Sequence, residues 1–261
     1  MSGDGINRKE PTMHPRMQGP VHKGSVAYGG WLTSTSYMLL EAYSRLDYDY
    51  VGLDCQHGLL DETDAARMLR RMADWPQAAL VRVAANDSAA IGRVLDAGAD
   101  GIIVPMVDTP EQAAAAVAAT RYYPAGFRSF GPGRADMGFA LKPIEERASC
   151  LVMIETKQGL DNVEAICATP GLTGVYVGPH DLGIGLGVPV ADIPTSPIVD
   201  AAIARIAAVA TSTGIVPGIA AYAQSAAHRR AQGYRLITLG ADVLAFLKGA
   251  SDELNAARAT E

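Results

Sequence analysis

The sequence predicts an α/β fold in which eight strand-helix units close into one barrel, and three observations support this prediction. Eight short apolar runs alternate with segments whose apolar residues recur at helical spacing, which calls for parallel strands with right-handed crossovers. The 261 residues match the usual size of a single (β/α)8, or TIM, barrel. No GxGxxG sequence follows the first strand, so the competing fold, an open dinucleotide-binding sheet, loses its main support.

The units follow one another along the chain, and several helices begin with recognisable signals. Ser36 and Asp87 are predicted N-caps, acids open the helix at Asp61, and Thr109 precedes a proline and a glutamate. The predicted strands are residues 25–33, 51–57, 79–83, 101–104, 151–154, 174–177, 216–220 and 235–239. The predicted helices are residues 37–46, 61–72, 88–97, 109–120, 158–168, 198–213, 224–232 and 242–258.

Three segments show no regular spacing of apolar residues that would predict a helix or a strand. Residues 1–24 are polar and contain proline and glycine, so we expect an N-terminal tail or arm before a single barrel domain at 25–261. Residues 121–143 form a long glycine- and aromatic-containing stretch, and long loops in compact domains are usually functional or mobile. Residues 178–187 are predicted to be a loop, in which Gly183, Gly185 and Gly187 are turn residues.

The composition indicates which kinds of molecule the protein binds and where it is located. The formal net charge is −6 and no basic run is present, which argues against nucleic acid or an anionic membrane and favours a small-molecule substrate. The three cysteines form no CxxC pair, which fits a reducing cytosol without a disulfide framework. No apolar stretch is long enough to span a bilayer, and no signal peptide is evident. We therefore expect a cytoplasmic protein.

Polar residues stand at the carboxyl ends of several predicted strands. A buried strand that ends on charged groups is poorly explained by packing alone. In a (β/α)8 barrel these ends surround one mouth, where the active site lies. The residues at these ends are Trp31, Asp54, Gln56, His57, Arg82, Glu155 and, within the GPHD sequence, Asp181.

The residue types at this mouth describe an aldol cleavage. Glu155 and Asp181 offer a hard oxygen site suited to Mg²⁺ or Mn²⁺, with positions left for a 2-oxo acid. Arg82 adds positive charge beside the developing enolate, and His57 is suited to proton transfer near neutrality. The main-chain amides of 178–181 are expected to hold the substrate carboxylate.

Five motifs occur in order at spacings that closely resemble the HpcH/HpaI family of metal-dependent class II pyruvate aldolases. The motifs are DCQHG at 54–58, PMV at 105–107, RYYPAGFR at 121–128, MIET at 153–156 and GPHDLG at 178–183. The resemblance runs from about residue 30 to 249. It implies a phosphoenolpyruvate/pyruvate-type barrel that uses Mg²⁺, Mn²⁺ or Co²⁺ and reversibly cleaves 4-hydroxy-2-oxo acids into pyruvate and an aldehyde. It also implies a homohexamer, a trimer of dimers, with the last helix exchanged between subunits.

The resemblance assigns roles by position. Glu155 and Asp181 correspond to the metal ligands, and Arg82 to the residue that holds the pyruvate carbonyl. His57 corresponds to the base, with Asp54 and Asp96 as acids that orient it or its water. The substrate-binding positions of the family correspond to Trp31, Gly178, Pro179, His180 and Asp181.

Three positions depart from the aldolase pattern and leave the electrophile open. Gln56 replaces a glutamate, Met153 replaces a glutamine that hydrogen-bonds substrate, and His180 replaces a small residue. The departures resemble macrophomate synthase-like proteins, which decarboxylate oxaloacetate to the same enolate. A citramalyl- or malyl-CoA-type lyase also stays open, although this acidic chain with five lysines does not favour it, and so does a non-catalytic metabolite-binding protein.

The remaining reactive residues have simpler interpretations. Cys55 lies on the alternate face of its strand and is expected to pack in the core. Lys157 tests a Schiff-base mechanism, which needs a desolvated lysine, but its place past a strand end predicts a solvated side chain. Arg128 and Arg134, in the long loop, either bind a substrate carboxylate or cap the barrel.

Overall fold

Eight parallel strands close into a barrel in chain order, and the last strand pairs with the first. The structure is a computed structural model that describes residue 16 and residues 25–259. The predicted (β/α)8 barrel is therefore confirmed. The strands are β1 Ala27–Leu32, β2 Tyr50–Asp54, β3 Ala78–Arg82, β4 Gly101–Val104, β5 Ser149–Ile154, β6 Gly174–Val177, β7 Val216–Ala221 and β8 Leu236–Leu239.

Helices follow the strands and surround the barrel. Two short 3₁₀ helices, Ala135–Met137 and Val190–Thr195, lie in the longer connections. The α-helices are α1 Tyr37–Tyr43, α2 Glu62–Arg71, α3 Ser88–Asp96, α4 Pro110–Ala119, α5 Leu141–Arg147, α6 Lys157–Asp161, α7 Val163–Cys167, α8 Pro179–Gly185, α9 Pro197–Thr213, α10 Ala223–Ala231 and α11 Asp242–Arg258.

The helix starts were predicted well because each carries its own local hydrogen bonds. The side chains of Ser36, Asp61, Asp87 and Thr109 all accept N–H groups of the first turn that follows them. Thr109 and Gln112 form a reciprocal capping box at the start of α4.

The prediction of a loop at 178–187 was wrong, since most of it is helix α8. Its glycines suggested turns, but Gly183 is there for close packing. A Cβ at Gly183 would lie 2.6 Å from Cγ1 of Ile193, in the 3₁₀ helix that covers α8. Sequence alone does not show this contact with a later segment.

Two other boundaries also differ from the prediction. The helix predicted at 158–168 is divided into α6 and α7 at Asn162, whose side chain donates a hydrogen bond to the carbonyl oxygen of Asp108. The segment 121–143 contains the first 3₁₀ helix, and its last residues open α5.

The apolar core has two parts. The larger part fills the layer between strands and helices. The smaller part lies inside the barrel and is built by inward-facing side chains of the strands, including Trp31, Tyr50, Met153 and Tyr176. The side chains of this inner core that lie nearest the carboxyl ends of the strands form the floor of the mouth.

Glycines on the barrel strands make room for the inner aromatic rings. A Cβ at Gly52 would lie 2.1 Å from Cε3 of Trp31, and one at Gly29 would lie 2.1 Å from the ring of Tyr50. Gly52 pairs directly with Trp31 across β1 and β2. The Trp31 ring therefore lies against the Gly52 backbone. These close approaches fix the position of Trp31 at the mouth.

We expect Gly52→Ala to destabilise the fold by about 1–3 kcal/mol, because the added methyl group overpacks the barrel interior against Trp31. The matched control is Gly92→Ala on α3, where an added Cβ meets nothing within 4 Å. The control should stabilise the helix by about 0.5–1 kcal/mol. Urea unfolding of both variants measures the difference, and equal midpoints would contradict this account of the inner core.

The predicted tail, residues 1–24, lies outside the described residues except for Arg16. The Arg16 guanidinium pairs with the buried Asp100 at 3.3 Å and donates to the carbonyl oxygen of Ala73 at 2.8 Å. Asp100 immediately precedes β4, so this arginine contacts the amino-terminal end of the barrel, opposite the mouth.

The last helix, α11, presents apolar side chains outward. Val243, Leu244, Phe246, Leu247 and Leu254 are each about half exposed or more. Among the described residues, no helix combines the length and the apolarity that crossing a membrane requires.

Candidate active site

The ends of β2 and β3 hold a buried ion pair at the mouth. Asp54 and Arg82 are register partners, and the guanidinium donates from Nε to Oδ1 at 2.9 Å and from Nη2 to Oδ2 at 2.5 Å. Trp31 Nε1 donates to the same carboxylate at 3.1 Å, while its ring lies beneath the guanidinium with 5.4 Å between Cζ and the centroid. Such a bidentate pair holds Arg82 in one orientation.

Asp54 also shapes the turn that carries His57. The main-chain N–H groups of Gln56 and His57 donate to Asp54 Oδ1 at 3.0 and 3.2 Å. Burial acts to raise the pKa of Asp54, but the hydrogen bonds and charge of Arg82, with these N–H groups, more than offset it, so the pKa is lowered. Asp54 thus remains ionised, and it contacts His57 through the main chain while the imidazole is exposed.

Glu155 follows β5 directly and is almost fully buried, with 2% of its surface exposed. The main-chain N–H of Met106 donates to Oε1 at 2.7 Å, from a residue held at a φ of 55°, which is uncommon for a side chain other than glycine. Burial raises the pKa of Glu155, and the neighbouring charge of Asp181 acts in the same direction. A carboxylate in this environment favours a cationic partner.

The space beside Glu155 suits a hard divalent cation. A Cβ at Gly178 would lie 2.5 Å from Glu155 Oε2, so only glycine leaves room beside that oxygen. Asp181 stands in the first turn of α8, beside this space. Over the described part of the chain, no cluster of three or more His, Cys, Asp or Glu side chains could hold a metal. Two carboxylates with water and substrate oxygens suit Mg²⁺ or Mn²⁺ better than Zn²⁺.

One cavity of about 400 Å³ joins these groups at the mouth of the barrel. It brings together seven of the ten predicted site residues, namely Trp31, His57, Arg82, Gly178, Pro179, His180 and Asp181. Asp54 and Glu155 lie immediately behind them, in contact with Arg82 and Gly178. The structure therefore brings the strand ends together at one mouth, as the sequence predicts.

Asp96 is not brought to this mouth within the chain. Its carboxylate pairs with the buried Arg128 at 2.7 Å and lines a separate groove between α2 and α3. The Arg128 guanidinium also lies over the Tyr122 ring, and Arg134 pairs with Asp136 at 2.5 Å. These contacts lie within the chain and away from the mouth, so they favour a structural role for both arginines over binding of a substrate carboxylate.

The floor of the cavity contains hydroxyl groups that the sequence analysis did not identify. Thr238 Oγ1 lies 2.7 Å from the Tyr50 hydroxyl and 2.5 Å from the Tyr176 hydroxyl. Burial raises the pKa of both tyrosines, which keeps them neutral. Tyr176 stacks on Trp31 at 6.1 Å, so this hydroxyl cluster supports the aromatic wall of the mouth. The only signal in the sequence was the inward register of these strand residues.

The model of the HpcH/HpaI aldolase/citrate lyase family matches residues 27–248, which is nearly the whole described barrel. The chain belongs to this family. The family, the barrel and a carbon–carbon lyase were each predicted from the sequence, and these predictions are confirmed.

Three known proteins illustrate what this chain resembles over most of its length. A hydroxypyruvate/pyruvate aldolase of Rhizorhabdus wittichii is 37% identical over 240 residues, 89% of this chain and 94% of its own. A family protein from Burkholderia cenocepacia J2315 has a solved structure with a TM-score of 0.86 and 34% identity, covering 93% and 98%. Macrophomate synthase superposes with a TM-score of 0.83 and 25% identity, covering 98% and 95%.

The departures from the HpcH/HpaI aldolase pattern lie around the mouth. Met153 is 1% exposed, and its Cε lies 3.1 Å from where a Cβ at Gly178 would be, so it places an apolar group beside Gly178. His180 is exposed at the cavity rim. Gln56 Oε1 is buried and has no hydrogen-bond partner among the described residues.

Two alternative nucleophiles do not fit their surroundings. Lys157 is exposed and pairs with Asp161 at 2.6 Å, whereas a Schiff-base lysine needs a desolvated position. Burial raises the pKa of Cys55 to about 12, so it remains a thiol near neutrality. The sequence predicts a core position for Cys55 and a solvated side chain for Lys157, and both predictions are confirmed.

Proposed function

We propose that the protein is a divalent-metal-dependent aldolase that reversibly cleaves a 4-hydroxy-2-oxo acid into pyruvate and an aldehyde. The observation that carries this proposal is that one mouth combines the Glu155 and Asp181 carboxylates with the fixed cation of Arg82. The similarity to a hydroxypyruvate/pyruvate aldolase supports the pyruvate half of the reaction.

Glu155 and Asp181 would hold Mg²⁺, Mn²⁺ or Co²⁺, which supplies Lewis-acid polarisation of the 2-oxo group when bound. Arg82 presents its remaining donors to the oxygen that gains charge, because Nε and one N–H of Nη2 are already used by Asp54. A fixed guanidinium stabilises an enolate without having to reorganise during the reaction.

His57 would move the proton. In the cleavage direction its imidazole would take the proton of the C4 hydroxyl, and the bond between C3 and C4 would break to release the aldehyde. The electron pair would stay with C3 as the enolate of pyruvate, and C3 would then take the proton back from the imidazolium to give pyruvate. Asp54 positions His57 by holding the main chain of its turn. Asp96 does not reach the mouth of its own chain. As a further orienting acid, it would therefore act at the mouth of another subunit.

The first turn of α8 would bind the substrate carboxylate. The main-chain N–H groups of His180 and Asp181 follow the glycine and proline that open this helix. Trp31 would form the aromatic wall against the pyruvate skeleton, since its ring is fixed by Asp54, Arg82 and Tyr176.

We further propose a cytoplasmic homohexamer, a trimer of dimers in which α11 is exchanged between subunits. The exposed apolar side chains of α11 support an assembly that covers them. Analytical ultracentrifugation measures the assembly, and a monomer at working concentrations would contradict it.

A second candidate is decarboxylation of oxaloacetate to the same enolate, as in a macrophomate synthase-like enzyme. Two observations favour this decarboxylase over a CoA-thioester lyase. They are the superposition on macrophomate synthase and the apolar side chain of Met153. The arginines of the cavity, Arg82 and Arg229, are already paired with Asp54 and Asp200, so they offer little to CoA phosphates.

The proposed function predicts that the enzyme releases pyruvate from a 4-hydroxy-2-oxo acid and that excess EDTA abolishes the release. Activity should return when Mg²⁺, Mn²⁺ or Co²⁺ is added, and lactate dehydrogenase coupling measures the pyruvate. Full turnover in excess EDTA would contradict the metal-dependent mechanism. Faster pyruvate release from oxaloacetate than from every 4-hydroxy-2-oxo acid would favour the second candidate.

A further inference from the structure

The orientation of Trp31 at the mouth depends on a second ring that lies inside the barrel. Trp31 stacks on Tyr176 with 6.1 Å between the ring centroids and 18° between the ring planes. A hydrogen bond from Nε1 to Asp54 fixes one edge of the indole, and the stacking on Tyr176 sets the tilt of its plane. A movement of the Tyr176 ring would therefore displace the wall proposed for the pyruvate skeleton.

The Tyr176 side chain is held at its tip by Thr238. The Tyr176 hydroxyl lies 2.5 Å from Thr238 Oγ1, which is its only hydrogen-bond partner among the described residues. The ring itself packs against the backbone of β7, since a Cβ at Gly218 would lie 2.9 Å from Tyr176 Cδ2. Tyr176 is 1% exposed, so no water would replace Thr238 at the present position of the hydroxyl.

Thr238 binds a second buried tyrosine, which lies away from the mouth. Its Oγ1 is 2.7 Å from the hydroxyl of Tyr50. Tyr176 and Thr238 border the cavity, whereas Tyr50 is fully buried and lies outside the cavity lining. Without Thr238, the Tyr176 hydroxyl could reach cavity water by a movement of its ring, and the Tyr50 hydroxyl could not.

We propose that Thr238 is a positioning residue for pyruvate binding. Its hydrogen bond with Tyr176 keeps that ring inside the barrel and stacked on Trp31, so that the indole stays in place as the wall of the pyruvate site. Thr238 is 3% exposed, so it acts through the two rings and not by contact with the substrate. The inference rests on the proposed aldolase function and adds to it a residue of β8.

The proposal concerns binding of pyruvate and not stabilisation of the enolate. Arg82 is held separately, because its bidentate pair with Asp54 does not involve Tyr176 or Thr238. A displaced aromatic wall would weaken the binding of pyruvate and of its enolate alike. Loss of such uniform binding raises KM and leaves kcat nearly unchanged.

Thr238→Val tests this role, because it removes the hydroxyl at nearly constant volume and leaves the Tyr176 hydroxyl without a partner. In the exchange of pyruvate methyl protons in D₂O, we expect KM to rise by about tenfold and kcat to change by less than about twofold. Thr238→Ser keeps the hydroxyl and should stay within about threefold of the wild-type KM. An unchanged KM in Thr238→Val, or an equal rise in Thr238→Ser, would overturn the proposal.

Two double variants separate positioning from a general loss of stability. Thr238→Val combined with Tyr176→Phe removes the hydroxyl that would move toward water, so KM should return to within about threefold of wild type. The matched control combines Thr238→Val with Tyr50→Phe, which removes the other buried phenol hydroxyl and should keep the raised KM. Equal KM values in the two double variants would overturn the path through Tyr176.

The fluorescence of Trp31 tests the same contact without a substrate. The chain has two tryptophans, so Trp75→Phe leaves Trp31 as the only one. In that background Thr238→Val should shift the emission to longer wavelength, because the displaced Tyr176 ring admits water to the indole, and Thr238→Ser should not. Unchanged emission in Thr238→Val would overturn the positioning of Trp31.

The two readouts distinguish failure of this inference from failure of the function on which it rests. Exchange of pyruvate protons with the wild-type KM in Thr238→Val overturns the role of Thr238 and leaves the aldolase proposal standing. A wild-type protein that neither exchanges pyruvate protons nor binds pyruvate in the presence of Mg²⁺ overturns the aldolase proposal, and the role in pyruvate binding with it.

Discussion

Glu155→Gln is expected to lower kcat/KM for pyruvate release by about a thousandfold or more, because it removes one of two carboxylates proposed to hold the cation. The substitution keeps the shape of the side chain, and its amide oxygen can still accept the Met106 N–H. The fold should therefore be retained. Calorimetric titration with Mn²⁺ should show a corresponding loss of affinity.

The matched control for this prediction is Glu164→Gln. Glu164 lies on α7, its side chain is 59% exposed, and it pairs with Arg205 on the surface. This control should keep both Mn²⁺ affinity and pyruvate release. Unchanged Mn²⁺ affinity in Glu155→Gln would show that the carboxylate does not bind the metal.

Asp54→Asn is expected to destabilise the protein by about 3–5 kcal/mol, because it leaves the Arg82 charge buried without its counter-ion. The side chains of Asp54 and Arg82 are 2% and 12% exposed, so water replaces little of the lost interaction. Urea unfolding at neutral pH measures the loss. Asp252→Asn, in an exposed pair with Lys248, should leave the unfolding midpoint nearly unchanged.

The pH dependence of Asp54→Asn follows from the lowered pKa of Asp54. Since the folded pKa lies below the unfolded one, this carboxylate stabilises the fold fully above its ordinary pKa. The contribution is lost as the pH falls through the lowered value. The difference in stability between wild type and variant should therefore be constant near neutrality and shrink only in acid. A difference that grows in acid would contradict the assignment of the ion pair.

The barrel and the position of its mouth could be predicted because their causes are local in sequence. Strand and helix periods, capping residues and polar strand ends are all short-range patterns, and the fold class then places the strand ends together. For this reason the sequence could place Glu155, Arg82 and His57 at the carboxyl end of the barrel.

The hydrogen bonds within the site could not be predicted, since they depend on side-chain orientation. Asp54 was expected to orient His57 or its water, and the sequence did not indicate that its carboxylate also binds Arg82 and Trp31 and reaches His57 through the main-chain N–H. The hydroxyl cluster joins Tyr50 to Thr238 across 188 residues. Sequence spacing carries no signal for such a contact.

The measurement that tests the central claim most directly is exchange of the pyruvate methyl protons in D₂O, followed by proton NMR without an aldehyde. The account predicts exchange that requires a divalent cation, stops in excess EDTA and is lost in His57→Gln and Glu155→Gln. Exchange that continues at the full rate in excess EDTA, or in either variant, would contradict an enolate formed by this mouth.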